Sequence, residues 1–171
     1  MKVFIAGAKA IHSLDKLVLQ RLNSIYQKGF EVLVGDCNGV DTSVQMFFAN
    51  LKCSNVTVYA SNGIARNNIG NWNVKAIDVP PNLTGFDYYK QKDIAMAEDA
   101  DYGFMIWDAQ SKGTLNNIVN LLLRNKKVLI YIEPAKKMTS VKSLEEMDRL
   151  VALCNQNVKT NYYLFTQQPI Y

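Results

Sequence analysis

The chain has 171 residues, of which 49% are hydrophobic and 20% charged, with a formal net charge of +4. That length and apolar content suit one domain with a full core, and they exclude disordered, collagen-like and low-complexity chains. No apolar run approaches the roughly 18 residues that span a bilayer, so no membrane partner is expected. The opening MKVFIAGAKAI reads as a core strand and its turn, not as a secretory leader. Cys37, Cys53 and Cys154 are odd in number and far apart, which predicts reduced thiols and a cytoplasmic location. The lone His12 has no Cys or His close by in sequence, so neither a metal site nor a cofactor is expected. Lys and Arg are scattered, with small clusters at 124–127 and 136–142. A nucleic-acid footprint usually needs a denser stripe, so nucleic acid is disfavoured as a partner.

Residues 2–6 (KVFIA) predict a buried strand closed by Gly7. Ser13 or Asp15 can cap a helix whose inner face carries Leu14, Leu17, Val18, Leu22 and Ile25, and Gly29 stands where it ends. Residues 30–34 (FEVLV) predict a second strand. A turn over 35–40 follows, then a helix with Val40, Val44, Phe47, Phe48 and Leu51 inward, for which Thr42 and Gln45 have the spacing of a capping box. A third strand is expected at 55–59. Residues 60–86 show no clear period and read as an excursion with a short strand at 74–79; long irregular segments in compact domains are often functional. Helical pattern returns over 87–99, a strand over 102–107, a helix over 114–124 and a strand over 128–132. Ser143 and Glu146 cap a last helix carrying Leu144, Met147, Val151 and Cys154, and 161–165 suggests an edge strand.

Strands alternating with helices predict an α/β fold: a three-layer, Rossmann-like architecture around a mostly parallel sheet of five strands or slightly more. No repeat or linker divides the chain, so 1–171 reads as one domain, with 140–171 as a C-terminal helix and tail. A homo-oligomer remains open.

In such sheets ligands bind beyond the carboxyl ends of the strands, near the switch in strand order. That nominates four loops, at 7–13, 35–41, 61–71 and 108–114. The first, with Gly7 and Lys9, lacks G-x-G-x-x-G, which disfavours a dinucleotide dehydrogenase; Gly7 either lets a ligand approach or makes a tight turn. The second, GDCNGVD, offers Gly35, Asp36, Gly39, Val40 and Asp41. Its glycines allow positive φ and its helix start favours an anion; Asp36 and Asp41 invite a metal or sugar-hydroxyl contact, but turn and cap residues are the favoured reading over metal binding. In the third, Arg66 is the only charge and is either a surface residue or a phosphate clamp. The fourth runs Asp108, Ser111, Lys112, Gly113, Thr114 into a helix, where hydroxyls, amides and the helix dipole suit a phosphate cradle. It is not a Walker A sequence; the cradle is favoured, with two other Gly-bearing loops at the same sheet edge, over an ordinary capped helix with Thr114 as the cap.

The order G-A-K-A-I after the first strand, G-D-C-N-G-V-D after the second, K-D-I-A-M-A-E-D-A-D before the fourth and W-D-A-Q-S-K-G-T-L-N-N-I after it resembles the SLOG superfamily. That superfamily includes YspA-like proteins, LOG phosphoribohydrolases and the DNA-processing protein DprA, and the resemblance covers about residues 1–133. Against the YspA-like pattern, Lys9 stands at an Arg, Asp36 at the second Gly of the later motif, and Asn38 at its Arg. The resemblance implies a Rossmann-like fold that binds nucleotides or nucleotide-derived ligands. In its glycosidase-like members a Glu follows the Gly-Thr by three residues; here that position is Asn117. An amide cannot stabilise an oxocarbenium-like sugar as a carboxylate does, though it can hydrogen-bond a ribose or base.

The expectation is therefore a binding protein for a nucleotide or nucleotide-derived small molecule. Its phosphate would lie on Ser111–Thr114 and the 35–41 loop, with Lys9, Lys112 or Arg66 neutralising the charge. The alternative is a nucleotide N-glycosidase, phosphoribohydrolase or deoxyribosyltransferase-like, with Asp36, Asp41 or Asp108 as its carboxylate. A nucleic-acid-binding protein is a weaker alternative.

Overall fold

The structure, a computed structural model, describes residues 1–167. The first half runs β1 (Lys2–Gly7), α1 (Lys16–Gln27), β2 (Glu31–Val34), α2 (Val40–Asn50) and β3 (Val56–Ser61). Then come β4 (Asn73–Ile77), α3 (Gly85–Asp99), β5 (Tyr102–Trp107), α4 (Lys112–Leu123) and β6 (Val128–Ile132). A 3-10 turn (Glu133–Ala135), β7 (Lys137–Val141), α5 (Leu144–Val151) and α6 (Gln156–Thr166) complete it. The strands form one seven-stranded sheet in the order β4-β3-β2-β1-β5-β6-β7. All neighbours are parallel except β6 and β7, which pair antiparallel.

The near-continuous apolar strands follow from burial on both faces. Val3 and Ile5 of β1 pack with Phe104 and Ile106 of β5 beneath α1 and α2. Phe4 and Ala6 point the other way, with Met105 and Trp107, into the layer of α3 to α6. Helix α1 is capped by the Asp15 carboxylate, which accepts from the Leu17 N–H, and presents Val18, Leu22 and Ile25 inward at spacings of four and three. Helix α4 is buried from Thr114 to Leu122, a helix covered on nearly every side.

Several local expectations are corrected. Helix α2 starts at Gly39 with no side-chain cap, so Thr42 and Gln45 form no capping box: the Thr42 hydroxyl donates to the Gly39 carbonyl, and Gln45 points into the protein. The cap of α4 is Ser111, whose Oγ accepts from the Thr114 N–H at 3.3 Å, not Thr114 itself. Residues 161–165 are not a strand but lie in α6, which Asn155 caps and which buries Val158, Tyr162 and Phe165 one turn apart. Aromatic residues raised the strand reading; the helical period over the longer window outweighs it. Helix α5 stops at Val151, before Cys154. Strand β7 carries no apolar alternation, because an edge strand with only Val141 buried needs none. The strand expected at 74–79 is β4, at 73–77. The C-terminal tail expected beyond α6 lies, from 168 on, outside the described residues. Among the described residues, no helix is long and apolar enough to cross a membrane.

The strand order reverses between β1 and β5. The chain lays β1 to β4 outward on one side, then returns to place β5 beside β1, with Gly7 opposite Ile106. Loops leaving these two strands in opposite directions leave a crevice between them.

Candidate functional site

A cleft of about 590 Å³ lies at that reversal. Three of the four nominated loops reach it: Gly7 and Lys9 after β1, Cys37 and Asp41 after β2, and Asp108, Ser111, Gly113 and Thr114 after β5. Asn117 lines it one turn into α4. The remaining wall is α3, through Phe86, Tyr89, Lys90, Lys92, Asp93 and Met96.

Not every nominated residue faces the cleft. Gly7 also serves packing, because a Cβ there would stand 2.3 Å from the Ile106 carbonyl oxygen. Gly39, at φ +83, lets the Lys9 backbone pass where a Cβ would lie, 2.4 Å from its oxygen. Val40 belongs to the core. The third loop does not line the cleft; it is stapled to α2 by the buried Gln45 amide. Its nitrogen donates to the carbonyls of Gly35 and Asn67, and its oxygen accepts from the Ile69 N–H.

Under the cleft lies a charge cluster. Arg66 grips Asp36 in a two-pronged pair, with Nε at 3.1 Å from Oδ2 and Nη2 at 2.7 Å from Oδ1, and its backbone N–H adds a third bond. Burial would raise the Asp36 carboxyl, but these bonds, with Lys92 close by, hold it below the usual carboxylate value. Hydrogen bonding to Asp36 likewise raises the Arg66 guanidinium. The guanidinium also stacks on Tyr89, 4.5 Å from the ring centroid. Arg66 is thus spent on Asp36 and Tyr89.

Lys92 is 2% exposed, with its ammonium 2.9 Å from Asp93 Oδ1 and 3.8 Å from Asp36 Oδ1. Burial alone would lower its pKa; the carboxylates of Asp93 and Asp41 overcome that and raise it. Asp41 is 6% exposed, and its Oδ2 accepts from the Cys37 N–H at 3.1 Å. Burial drives its pKa up to about 6 against the pull of Lys92, because Lys92 stands closer to Asp93 and Asp36. Burial also pushes the Cys37 thiol up. Gly35 makes room for the cluster: a Cβ there would meet Asp41 Oδ2 at 2.5 Å and Lys92 Nζ at 2.8 Å.

The fourth loop is built differently. Asp108 Oδ1 accepts from the N–H groups of Gln110 and Ser111, and the Thr114 hydroxyl donates to Ser111 Oγ. The N–H groups of Lys112 and Gly113, at the head of α4, donate to no acceptor among the described residues. Space is open where a Gly113 Cβ would stand. Lys112 Nζ sits 4.4 Å over the Phe86 ring and pairs with no carboxylate among the described residues. Asn117, 4% exposed, is satisfied when its amide nitrogen faces Asp93 Oδ2 and the Gly113 carbonyl, each at 3.3 Å.

The contribution of α3 escaped the sequence reading. Its signal is a helix between core strands whose inner face is broken by charge: Tyr89, Lys92, Asp93 and Met96 share one face by their spacing. The remaining carboxylate nearest Asn117 is Asp93, which the sequence did not nominate. No group of His, Cys, Asp and Glu among the described residues has the arrangement of a metal site. The chain matches no family model and no curated protein.

Proposed function

We propose that the protein binds a nucleotide or nucleotide-derived ligand in this cleft, as a cytoplasmic member of the SLOG superfamily. The observation that carries the reading is the open first turn of α4 at the strand-order reversal. Two unpaired N–H groups, the positive end of the helix dipole and the unneutralised Lys112 converge there. A phosphate on Ser111–Thr114 takes charge from Lys112 and from Lys9, which stands at the rim with its ammonium 5.6 Å from the Tyr89 ring centroid. The 35–41 loop contributes less to the anion, since the Cys37 amide and the Arg66 guanidinium already serve Asp41 and Asp36. Phe86 and Tyr89 line the cleft and give it an aromatic wall for a base.

Thermal unfolding with a panel of nucleoside mono- and diphosphates tests the reading. A ligand at about 100 times its Kd adds about 2.7 kcal/mol, and Lys112→Ala is expected to weaken binding about tenfold, or about 1.4 kcal/mol. No stabilisation by any member of the panel overturns it.

A second reading, N-glycosidic hydrolysis or transfer, is favoured by Asp93, a carboxylate held against Asn117 by Lys92. Chromatography for free base after incubation with the same panel separates the two. Release that Asp93→Asn abolishes promotes the enzyme; nucleotides recovered intact support binding alone.

A further inference from the structure

The charges under the cleft do not cancel. Three carboxylates, Asp36, Asp41 and Asp93, share two cations, Arg66 and Lys92. Arg66 is taken by Asp36. The Lys92 ammonium lies within 4 Å of Asp93 and Asp36 and reaches Asp41 only as a more distant charge. Asp41 is therefore the odd carboxylate. It is more than nine-tenths buried and lines the cleft. Its Oδ2 accepts from the Cys37 N–H, while its Oδ1 takes no donor among the described residues. The other groups around it supply no missing cation. Lys90 pairs with Asp87, Lys9 lies over the Tyr89 ring at the rim, and Asp108 accepts from the Gln110 and Ser111 N–H groups. The Cys37 thiol beside it is pushed up by burial and stays neutral near pH 7. With Asp41 ionised the cluster carries one negative charge in a site largely closed to water; with Asp41 protonated it is neutral.

We propose that Asp41 makes ligand binding in this cleft proton-linked: an anionic ligand enters together with a proton on Asp41 Oδ1, and the site loosens its hold as that proton leaves. This rests on the nucleotide reading above and adds the regulation of the same site. Asp41 and the head of α4 line one cleft of about 590 Å³, so an anion bound there lies close enough to feel the Asp41 charge in a poorly hydrated space. The proton comes from solvent and returns to it, and no other bond changes. The effect is mutual: the proton tightens the hold on the ligand, and the ligand tightens the Asp41 hold on the proton. Asp36 and Asp93 do not take this part, because Arg66 and Lys92 compensate them directly. Burial already raises Asp41 to about 6, so the switch works between mildly acidic and neutral pH. The sign follows: affinity for an anion is greatest below pH 6 and falls as pH rises through 7.

Titration calorimetry of the full chain with ADP and GDP at pH 5.5 and pH 7.5, for wild type and Asp41→Asn, tests the proposal. Asp41→Asn is nearly the same size, keeps an oxygen for the Cys37 N–H and cannot ionise. Each nucleotide's own phosphate titrates alike with both proteins and cancels in the comparison. Between the two pH values wild type is expected to lose about fivefold more affinity than the variant, the change that follows when the bound ligand raises Asp41 by about one pKa unit. At pH 6.5, titrations in buffers of different ionisation enthalpy are expected to show more proton uptake on binding for wild type than for Asp41→Asn. Asp41→Ser, smaller and equally unable to ionise, is expected to repeat the variant's behaviour and covers the case in which Asp41→Asn does not fold. A wild-type loss equal to or smaller than that of the variants, or equal proton uptake, overturns the proposal while the nucleotide reading stands. No binding of either nucleotide by wild type at either pH overturns both.

Discussion

At the scale of single residues, the cleft depends on what Gly35 lacks. The Asp41 carboxylate and the Lys92 ammonium both stand where its Cβ would be, so Gly35→Ala must displace buried charges. The expected loss is about 1–3 kcal/mol, the usual range for overpacking, read from urea unfolding. Asp41 makes a second, signed prediction. Its folded pKa, about 6, lies above its ordinary 3.8, so the folded protein holds a proton that the unfolded chain has released. The Asp41 contribution to stability is therefore full below about pH 4 and lost as pH rises through 6. Asp41→Asn removes that dependence. The variant's stability relative to wild type is expected to increase from pH 4 to pH 7, by an amount on the order of 3 kcal/mol, since one pKa unit is about 1.4 kcal/mol. A difference that stays flat with pH would show that Asp41 titrates normally. Asp36 acts in the opposite sense: its carboxyl is held low by Arg66, and the stability it adds is lost on acidification.

At the scale of elements, two devices build the cleft's walls. Gln45 ties the irregular 62–72 crossover between β3 and β4 to α2, using one fully buried amide for three bonds. Gln45→Leu preserves size but leaves the Gly35 carbonyl short of a donor. The expected cost is about 1–3 kcal/mol, with limited proteolysis appearing first within 62–72. Intact 62–72 in the variant would mean that Trp72, packed against Gly70 with its indole N–H on the Cys53 carbonyl, suffices to hold the segment. Helix α3 is the other device. It brings Lys92 and Asp93 to the cleft on one face while Met96 and Ala97 enter the core one turn later. Lys92 faces inward because Asp36, in the loop after β2, and Asp41, in the first turn of α2, supply partners for its charge. Removing the central cation by Lys92→Met strands Asp41 and Asp93; breaking buried pairs of this kind costs about 3–5 kcal/mol.

At the scale of the whole molecule, the C-terminal helix reaches back to the site. Phe165 of α6 stacks on Phe86 with ring centroids 5.9 Å apart, and Lys112 lies over both rings. Phe86 lines the cleft, so α6 supports a wall it does not itself form. Phe165→Ala is expected to cost about 3–5 kcal/mol from lost burial, and also to weaken nucleotide binding. Unchanged affinity in the folded variant would separate α6 from the site.

Strands β1, β2, β3, β5 and β6 are legible in the sequence because each is a short apolar run between turn signals, and burial on both faces of a parallel sheet demands that pattern. The loops at Gly7, Gly35 and Asp108 are legible for a related reason, since they follow those strands directly and the strand-end rule needs no contacts. Strand β7 and helix α6 were not, because an edge strand with one buried residue has little pattern to show, and aromatic residues serve helix and strand alike. What only the tertiary structure decided is the pairing of charges. Asp36, Lys92 and Asp93 lie up to 57 positions apart in the chain, and each looks like surface until the fold removes water from it. Chain order determines which strands exist and where their loops point. Electrostatic partners are set by Coulomb attraction in a dehydrated interior, which acts between neighbours in space and leaves no periodic trace along the sequence.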